Sequence, residues 1–241
     1  MLLSRLFDEF ESYMLTERGA SDNTITAYRA TLRRLAEFLA GDNRATDFED
    51  ISTADLRRFV ADIKQTGVTN ATIARHVHAL RSFWRFVVET YDLGKNAALP
   101  LRAPSPDHHV RDVLSADECR QLLAAADENY YSLYRIRDRV LLKLMMIVGL
   151  RRGELLNLQL SDYDPDQQKL TVDMSKGRKS RVVPLPADLC EDLDRWLEVR
   201  PEADHDHLLT TRTGNPVSPT CLYRSFSKLV EHAGLEDRGI T

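Results

Sequence analysis

Apolar residues recur every three or four positions from Leu3 to Val87, the period of helices that each bury one face. Leu3, Leu6, Phe7, Phe10, Tyr13 and Met14 mark a first helix closing at Arg18-Gly19. Ser21-Asp22-Asn23-Thr24 supplies side-chain oxygens for the start of a second, whose apolar face carries Ile25, Tyr28, Leu32, Leu35, Phe38 and Leu39. Ser52 or Thr53 caps a third with Leu56, Phe59, Val60 and Ile63, and Gly67 ends it. A fourth runs from about Asn70 through Ile73, Val77, Leu80, Phe83, Trp84 and Val87. Amphipathic helices joined by short loops predict a small bundle.

The pattern breaks between Ala98 and Val113, where Pro100, Pro104 and Pro106 cannot sustain a helix. This stretch reads as a linker, giving domains over 1–98 and 114–241 with 99–113 between them. Beyond it, Ser115 and Glu118 stand at the spacing of a capping box. The apolar run Val140 to Leu150 is a buried helix, too short to cross a bilayer and flanked by Arg137, Arg139 and Arg151. Lys169 to Met174 and Ser180 to Leu185 read as strands of a hairpin around Lys176-Gly177-Arg178-Lys179. Helices return at Leu189 to Val199 and Pro219 to Ala233, so the fold class is mainly α with a small β-sheet.

Composition narrows the function classes. At 241 residues and 43% hydrophobic content the chain can bury a sizeable core. Cys119, Cys190 and Cys221 are widely spaced, without CxxC pairing, and suggest neither a disulfide framework nor a zinc cluster. His76 and His78 point apart on a helix, and His205 and His207 alternate in an acidic loop without a third ligand, so no metal site is expected. No phosphate-binding Walker loop or Gly-rich dinucleotide fingerprint occurs, and no cofactor is expected. The charged start of the chain is no secretory signal, and a cytoplasmic protein is expected. A formal net charge of −4 is not the footprint of nonspecific nucleic-acid coating, although a locally basic face can still bind phosphate.

Two short basic motifs carry candidate chemistry. In Val148 to Leu158, VGLRRGELLNL, Arg151 follows Gly149 where an apolar helix ends, and Glu154 lies one turn beyond, able to orient the guanidinium. Arginine suits phosphate because its planar fork donates two hydrogen bonds and never loses its charge. In Ser175 to Pro186, SKGRKSRVVPLP, Lys176 stands at the hairpin tip beside Arg178, Lys179 and Arg181. Each motif alone also describes an ordinary helix junction or a solvated turn.

Taken together and in this order, the motifs resemble the tyrosine recombinases, the phage-integrase and Xer family. That resemblance implies a helical SAM-like core-binding bundle followed by an α+β catalytic domain. It implies that Arg151 is the first of two arginines gripping the scissile phosphate, that Glu154 is the buried glutamate supporting it, and that Lys176 protonates the leaving 5'-oxygen. Arg152 and Gly153 depart mildly from the usual apolar and small polar residues, and Ser175 replaces a usual Gly. Gly19 to Arg29 and Thr72 to Phe83 resemble the family's core-DNA-binding signature, making Thr24, Tyr28, Arg29, Arg75 and Arg81 candidate DNA contacts beside Arg178, Lys179 and Arg181. The implied partners are double-stranded DNA bearing an inverted-repeat core site and, for the complete protein, a homo- or hetero-tetramer on it, without metal or ATP.

The family pattern continues into a Pro-His-x-Leu-Arg-His helix and a late nucleophilic tyrosine, for which residues up to Thr241 hold no counterpart. Tyr223, Tyr130, Tyr131 and Tyr134 lack the family context. The catalytic domain is therefore expected to be incomplete, with DNA binding and no cleavage. A naturally shortened, non-catalytic DNA-binding regulator is the alternative, and a helical interaction protein without DNA a third.

Overall fold

A computed structural model of the chain describes residues 3–41, 47–105, 113–128, 131–173 and 180–240. The chain divides into two compact units, residues 1–110 and 111–241, each with its own core.

The first unit is built from α1 (Leu3–Thr16), α2 (Asp22–Gly41), α3 (Thr53–Gln65) and α4 (Asn70–Thr90). The apolar stripes meet as the periodicity demands. Leu6, Leu35, Leu56, Phe59, Ile63, Leu80 and Phe83 are almost wholly buried. Aromatic rings order the centre: Phe10 stands edge-on to Phe83 at 5.4 Å and lies parallel to Tyr28 at 6.3 Å, while Phe48 stacks on Trp84 at 5.1 Å. Ser52, rather than Thr53, caps α3, its hydroxyl accepting from the Asp55 amide in a capping box. The stretch expected to be linker begins packed, since Leu101 is buried against this core and Thr53 Oγ1 donates to the Ala97 carbonyl at 2.8 Å. Residues 106–112 lie outside those described.

One polar contact is buried inside this bundle. Thr31 Oγ1 donates to the Ala27 carbonyl at 2.9 Å, so it accepts from His76 Nδ1–H at 2.9 Å, which assigns the neutral tautomer of the ring. Burial, helped by the positive charges of Arg75 and Arg34, pulls the His76 pKa below its ordinary 6.5.

The second unit contains α5 (Ala116–Asp127), α6 (Ser132–Met146), α7 (Arg152–Asn157), α8 (Ala187–Val199) and α9 (Pro219–His232) around a small sheet of β1 (Tyr163–Asp164), β2 (Lys169–Val172) and β3 (Arg181–Pro184). The sheet is antiparallel in the order β1-β2-β3, with Leu170 opposite both Tyr163 and Val183, and Val172 opposite Arg181. The hairpin's strands are shorter than the apolar pattern suggested, and the two-residue β1 has no periodicity by which a sequence reveals it. Ser115 caps α5 with Glu118 at the third position, as the spacing indicated.

The central helix α6 buries charge as well as apolar surface. Lys143 Nζ reaches Asp192 Oδ2 at 2.5 Å and Asp188 Oδ2 at 2.8 Å on α8, and donates to the Asp188 carbonyl at 3.0 Å. Arg139 joins Asp192 at 3.3 Å and Asp127 on α5 at 2.8 Å. The ammonium holds the Asp188 carboxyl below its ordinary range. Trp196, wholly buried, donates its indole N–H to the Leu208 carbonyl at 2.8 Å.

Two outcomes are expected. Lys143→Ala leaves the Asp192 carboxylate buried with Arg139 alone and costs about 3 kcal/mol of unfolding free energy, measurable by urea titration. Because the folded state holds His76 at a lowered pKa, the unfolded state binds the extra proton; stability is complete above pH 6.5 and falls as the pH drops below it. His76→Gln removes that slope in unfolding curves recorded across this window, and an unchanged slope would show that the ring is not the titrating group.

Candidate functional site

Helix α6 ends at Met146, and Gly149 turns the chain in the left-handed region at φ +67°, which suits a residue without Cβ. Leu150 then donates its amide to the Leu144 carbonyl at 3.4 Å and buries its side chain in the core. That anchor fixes the position of the next residue. Arg151 stands at the head of the six-residue α7 with its side chain 69% exposed, while Glu154, one turn on, is 8% exposed.

The carboxylate of Glu154 organises the cluster. Its Oε2 accepts the Arg151 backbone N–H at 3.0 Å and Arg181 Nη2 at 2.9 Å; its Oε1 accepts Arg151 Nη1 at 2.9 Å and Arg181 Nη1 at 3.2 Å. Two guanidinium groups and one carboxylate leave a local excess of one positive charge. The Arg181 hydrogen bonds, then those from Arg151, hold the Glu154 carboxyl down at about 2, and Glu154 in turn raises Arg181. Among the described residues only one terminal nitrogen of Arg151 is engaged, which leaves the remainder of its fork to donate to a phosphate oxygen.

Arg151 and Glu154 thus lie together as the motif suggests. Arg181, expected among the DNA contacts, makes a two-pronged pair with Glu154 from β3; the separation of 27 residues hides that pairing from any local pattern. Lys176, Arg178 and Lys179 lie outside the described residues.

The five amino-terminal candidates do not form one cluster. Tyr28 lies flat against Phe10, and Arg29 forms an ion pair with Glu11, its Nε 2.9 Å from Oε2. Thr24 shares a 2.8 Å hydrogen bond with Ser21 at the start of α2. Arg75 is exposed on α4 beside His76, whose partner Thr31 lies seven residues, or roughly 10 Å of helix, beyond Thr24. Arg81 has different neighbours. With Arg57 of α3 and Arg102 it lines a groove of about 750 Å³ floored by Val60, Val77 and Leu101, and none of the three arginines pairs with a described carboxylate. Arg57 and Arg102 escaped the sequence reading. An exposed arginine on α3 and one in a Pro-rich stretch carry no pattern that marks them.

Among the described residues no group of three or more potential ligands can hold a metal ion, and no helix is long and apolar enough to cross a membrane. His205 is occupied structurally: its Nδ1 accepts the His207 amide at 3.2 Å, leaving Nε2–H to donate to the Gly214 carbonyl at 2.9 Å.

The depressed Glu154 pKa has a pH consequence. Its contribution to stability is present above the ordinary value of 4.5 and is lost as the pH falls from there toward about 2. Glu154→Gln flattens this acid limb in unfolding curves and loosens Arg151. An acid limb of unchanged steepness would remove Glu154 as its cause.

Comparison with known proteins gives a consistent picture. Residues 112–240 match the Phage integrase family, and residues 7–90 match the phage integrase N-terminal SAM-like domain. The tyrosine recombinase XerA of Thermococcus onnurineus is 31% identical over 236 residues, covering 97% of this chain and 76% of that protein. The tyrosine recombinase XerD of Oceanobacillus iheyensis is 26% identical over 240 residues, covering 97% of this chain and 80% of its own length. In fold, the chain is similar to a lambda integrase dimer bound to a COC' core site, with a TM-score of 0.73, 23% identity, and coverage of 98% of this chain and 82% of that one. With a match over more than half its length and a relative above 30% identity, the chain belongs to the phage integrase family of tyrosine recombinases.

Proposed function

We propose that the chain binds duplex DNA at an inverted-repeat core site, with residues 1–98 and residues 114–241 both contributing contacts. The observation that carries this reading is the groove of Arg57, Arg81 and Arg102, three cations on an apolar floor with no described carboxylate to neutralise them. Such a surface exchanges condensed counterions for phosphates. The comparison proteins support it, since a lambda integrase and a XerH recombinase were both crystallised on their DNA sites. A lambda integrase tetramer was crystallised on a Holliday junction, and we extend that assembly to this protein. Its place of action is the cytoplasm.

In the second unit Arg151 is the phosphate grip. Glu154 fixes its backbone and one nitrogen, so the exposed part of the fork is already oriented when DNA arrives, and the ordering cost falls before binding instead of during it. Lys176 is the proton donor to the leaving 5'-oxygen, and Arg75, Arg178 and Lys179 are further phosphate contacts. The reaction class is strand cleavage and rejoining through a 3'-phosphotyrosine. Residues 1–241 hold one arginine of that phosphate pair, and we propose that this segment taken by itself binds DNA without cutting it.

The test is a mobility shift on an inverted-repeat duplex over a salt series, with a nicked suicide duplex in parallel. Binding is expected to weaken linearly in log affinity against log salt, with Arg81→Ala reducing the slope by about 1 and no denaturation-resistant adduct forming. Absence of any shift at low salt would overturn the DNA reading. A covalent adduct would overturn the assignment of these residues as non-cleaving.

A further inference from the structure

The second unit holds a cavity of about 450 Å³ between the start of α6 and the flank of α9, to which Arg151, Glu154 and Arg181 contribute nothing. Its wall contains a side chain that rarely stands so deep. Arg137 is 2% exposed, and its guanidinium is satisfied along one edge: Nε and Nη2 donate to Asp138 Oδ1 at 2.8 and 2.6 Å, and Nη2 donates to Ser225 Oγ at 2.8 Å. The Tyr134 ring covers the guanidinium carbon at 4.3 Å. Nη1 is fully buried and has no hydrogen-bond partner among the described residues. A buried guanidinium nitrogen left unpaired is costly, so native structures nearly always supply an acceptor.

The surroundings say what kind of acceptor. Arg224 and Lys228, one helical turn apart on α9, line the same cavity, and neither pairs with a described carboxylate. Asp138, the one lining carboxylate among the described residues, is matched by Arg137, and no other described carboxylate lining the cavity offsets the charges of Arg224 and Lys228. Thr220, Ser218 and Ser225 add hydroxyls, and His232 can add a third positive charge when protonated. An anionic acceptor with several oxygens fits this set.

We propose that this cavity is a binding site for a phosphate-type oxyanion. The anion takes its hydrogen bond from Arg137 Nη1 and its charge balance from Arg224 and Lys228. The site is independent of the grip at Arg151 and of the arginine groove in the first unit, and stands whether or not the chain binds DNA. A free phosphate or phosphomonoester and a phosphodiester within a nucleic acid present the same chemistry.

Isothermal titration of inorganic phosphate into the purified chain, at ionic strength held constant with chloride, tests it. Saturable binding is expected, weakened about tenfold or more by Arg224→Ala combined with Lys228→Ala. Both are exposed side chains whose removal leaves the core intact. Arg137→Lys keeps the charge and loses the fork; it is expected to weaken binding to a similar degree while circular dichroism retains the helical signal. If phosphate does not bind but duplex DNA affinity drops in Arg137→Lys, where charge is unchanged, the oxyanion is a phosphodiester and the site stands. Phosphate binding that persists in all variants, or neither ligand responding to them, overturns the proposal.

Discussion

A single carboxylate, that of Glu154, sets the geometry on which the candidate site depends. It accepts from the Arg151 backbone, from the Arg151 side chain and twice from Arg181, so one small group ties the head of α7 to β3. Neither arginine alone specifies this arrangement. Placed beside each other without Glu154, two guanidinium groups repel; with it, they are drawn to a common anion, and the net charge of the trio stays positive. Ionisation of Glu154 is protected by the same contacts, which keeps the clamp intact over the whole neutral range.

The same logic recurs along α6, where charge is buried only with compensation in reach. Lys143 and Arg139 share Asp192, Lys143 also holds Asp188, and Arg137 holds Asp138. The Lys143 and Arg139 pairs lock the helix against α8 and α5, and removing Lys143 strands the buried Asp192 in a low-dielectric interior. Arg137 Nη1 is the place where compensation stops, and it does so on the wall of a cavity whose other cations are also unmatched. A missing acceptor at a structurally economical helix points outward to a ligand, in contrast to the closed network around Lys143.

Local signals were legible where the physics is local. The 3.6-residue period placed α1 to α4, and the Ser115 and Glu118 spacing placed the start of α5, because both depend on residues within one or two turns. Arg151 and Glu154 were legible as a pair for the same reason. The pairing of Arg181 with Glu154 is not legible in the same way, because it joins residues 27 positions apart that meet only when β3 folds back beside α7. Tyr28 already lies on the apolar face that the helical repeat defines, but its stacking on Phe10 and the pairing of Arg29 with Glu11 of α1 are tertiary choices no single helix encodes. Leu101 was hidden in the opposite sense, its prolines suggesting a spacer where the chain still packs against the bundle.

Net charge misleads about binding because it counts acids wherever they lie. The chain is formally −4, but many of its carboxylates are spent locally: Glu11 on Arg29, Asp62 on Arg34, Asp55 on Arg58, Asp117 on Arg120 and Asp127 on Arg139. Exposed pairs of this kind add little to stability, yet each removes one arginine from the pool that can meet a phosphate. Arg57, Arg81 and Arg102 are left out of that pairing on one groove, and Arg224 and Lys228 on another. With a Debye length of about 8 Å at physiological salt, a phosphate approaching either groove responds to those few charges and hardly to acids elsewhere on the surface. The field that matters is therefore set by which cations the fold leaves unpaired, and an acidic chain can present basic faces without contradiction.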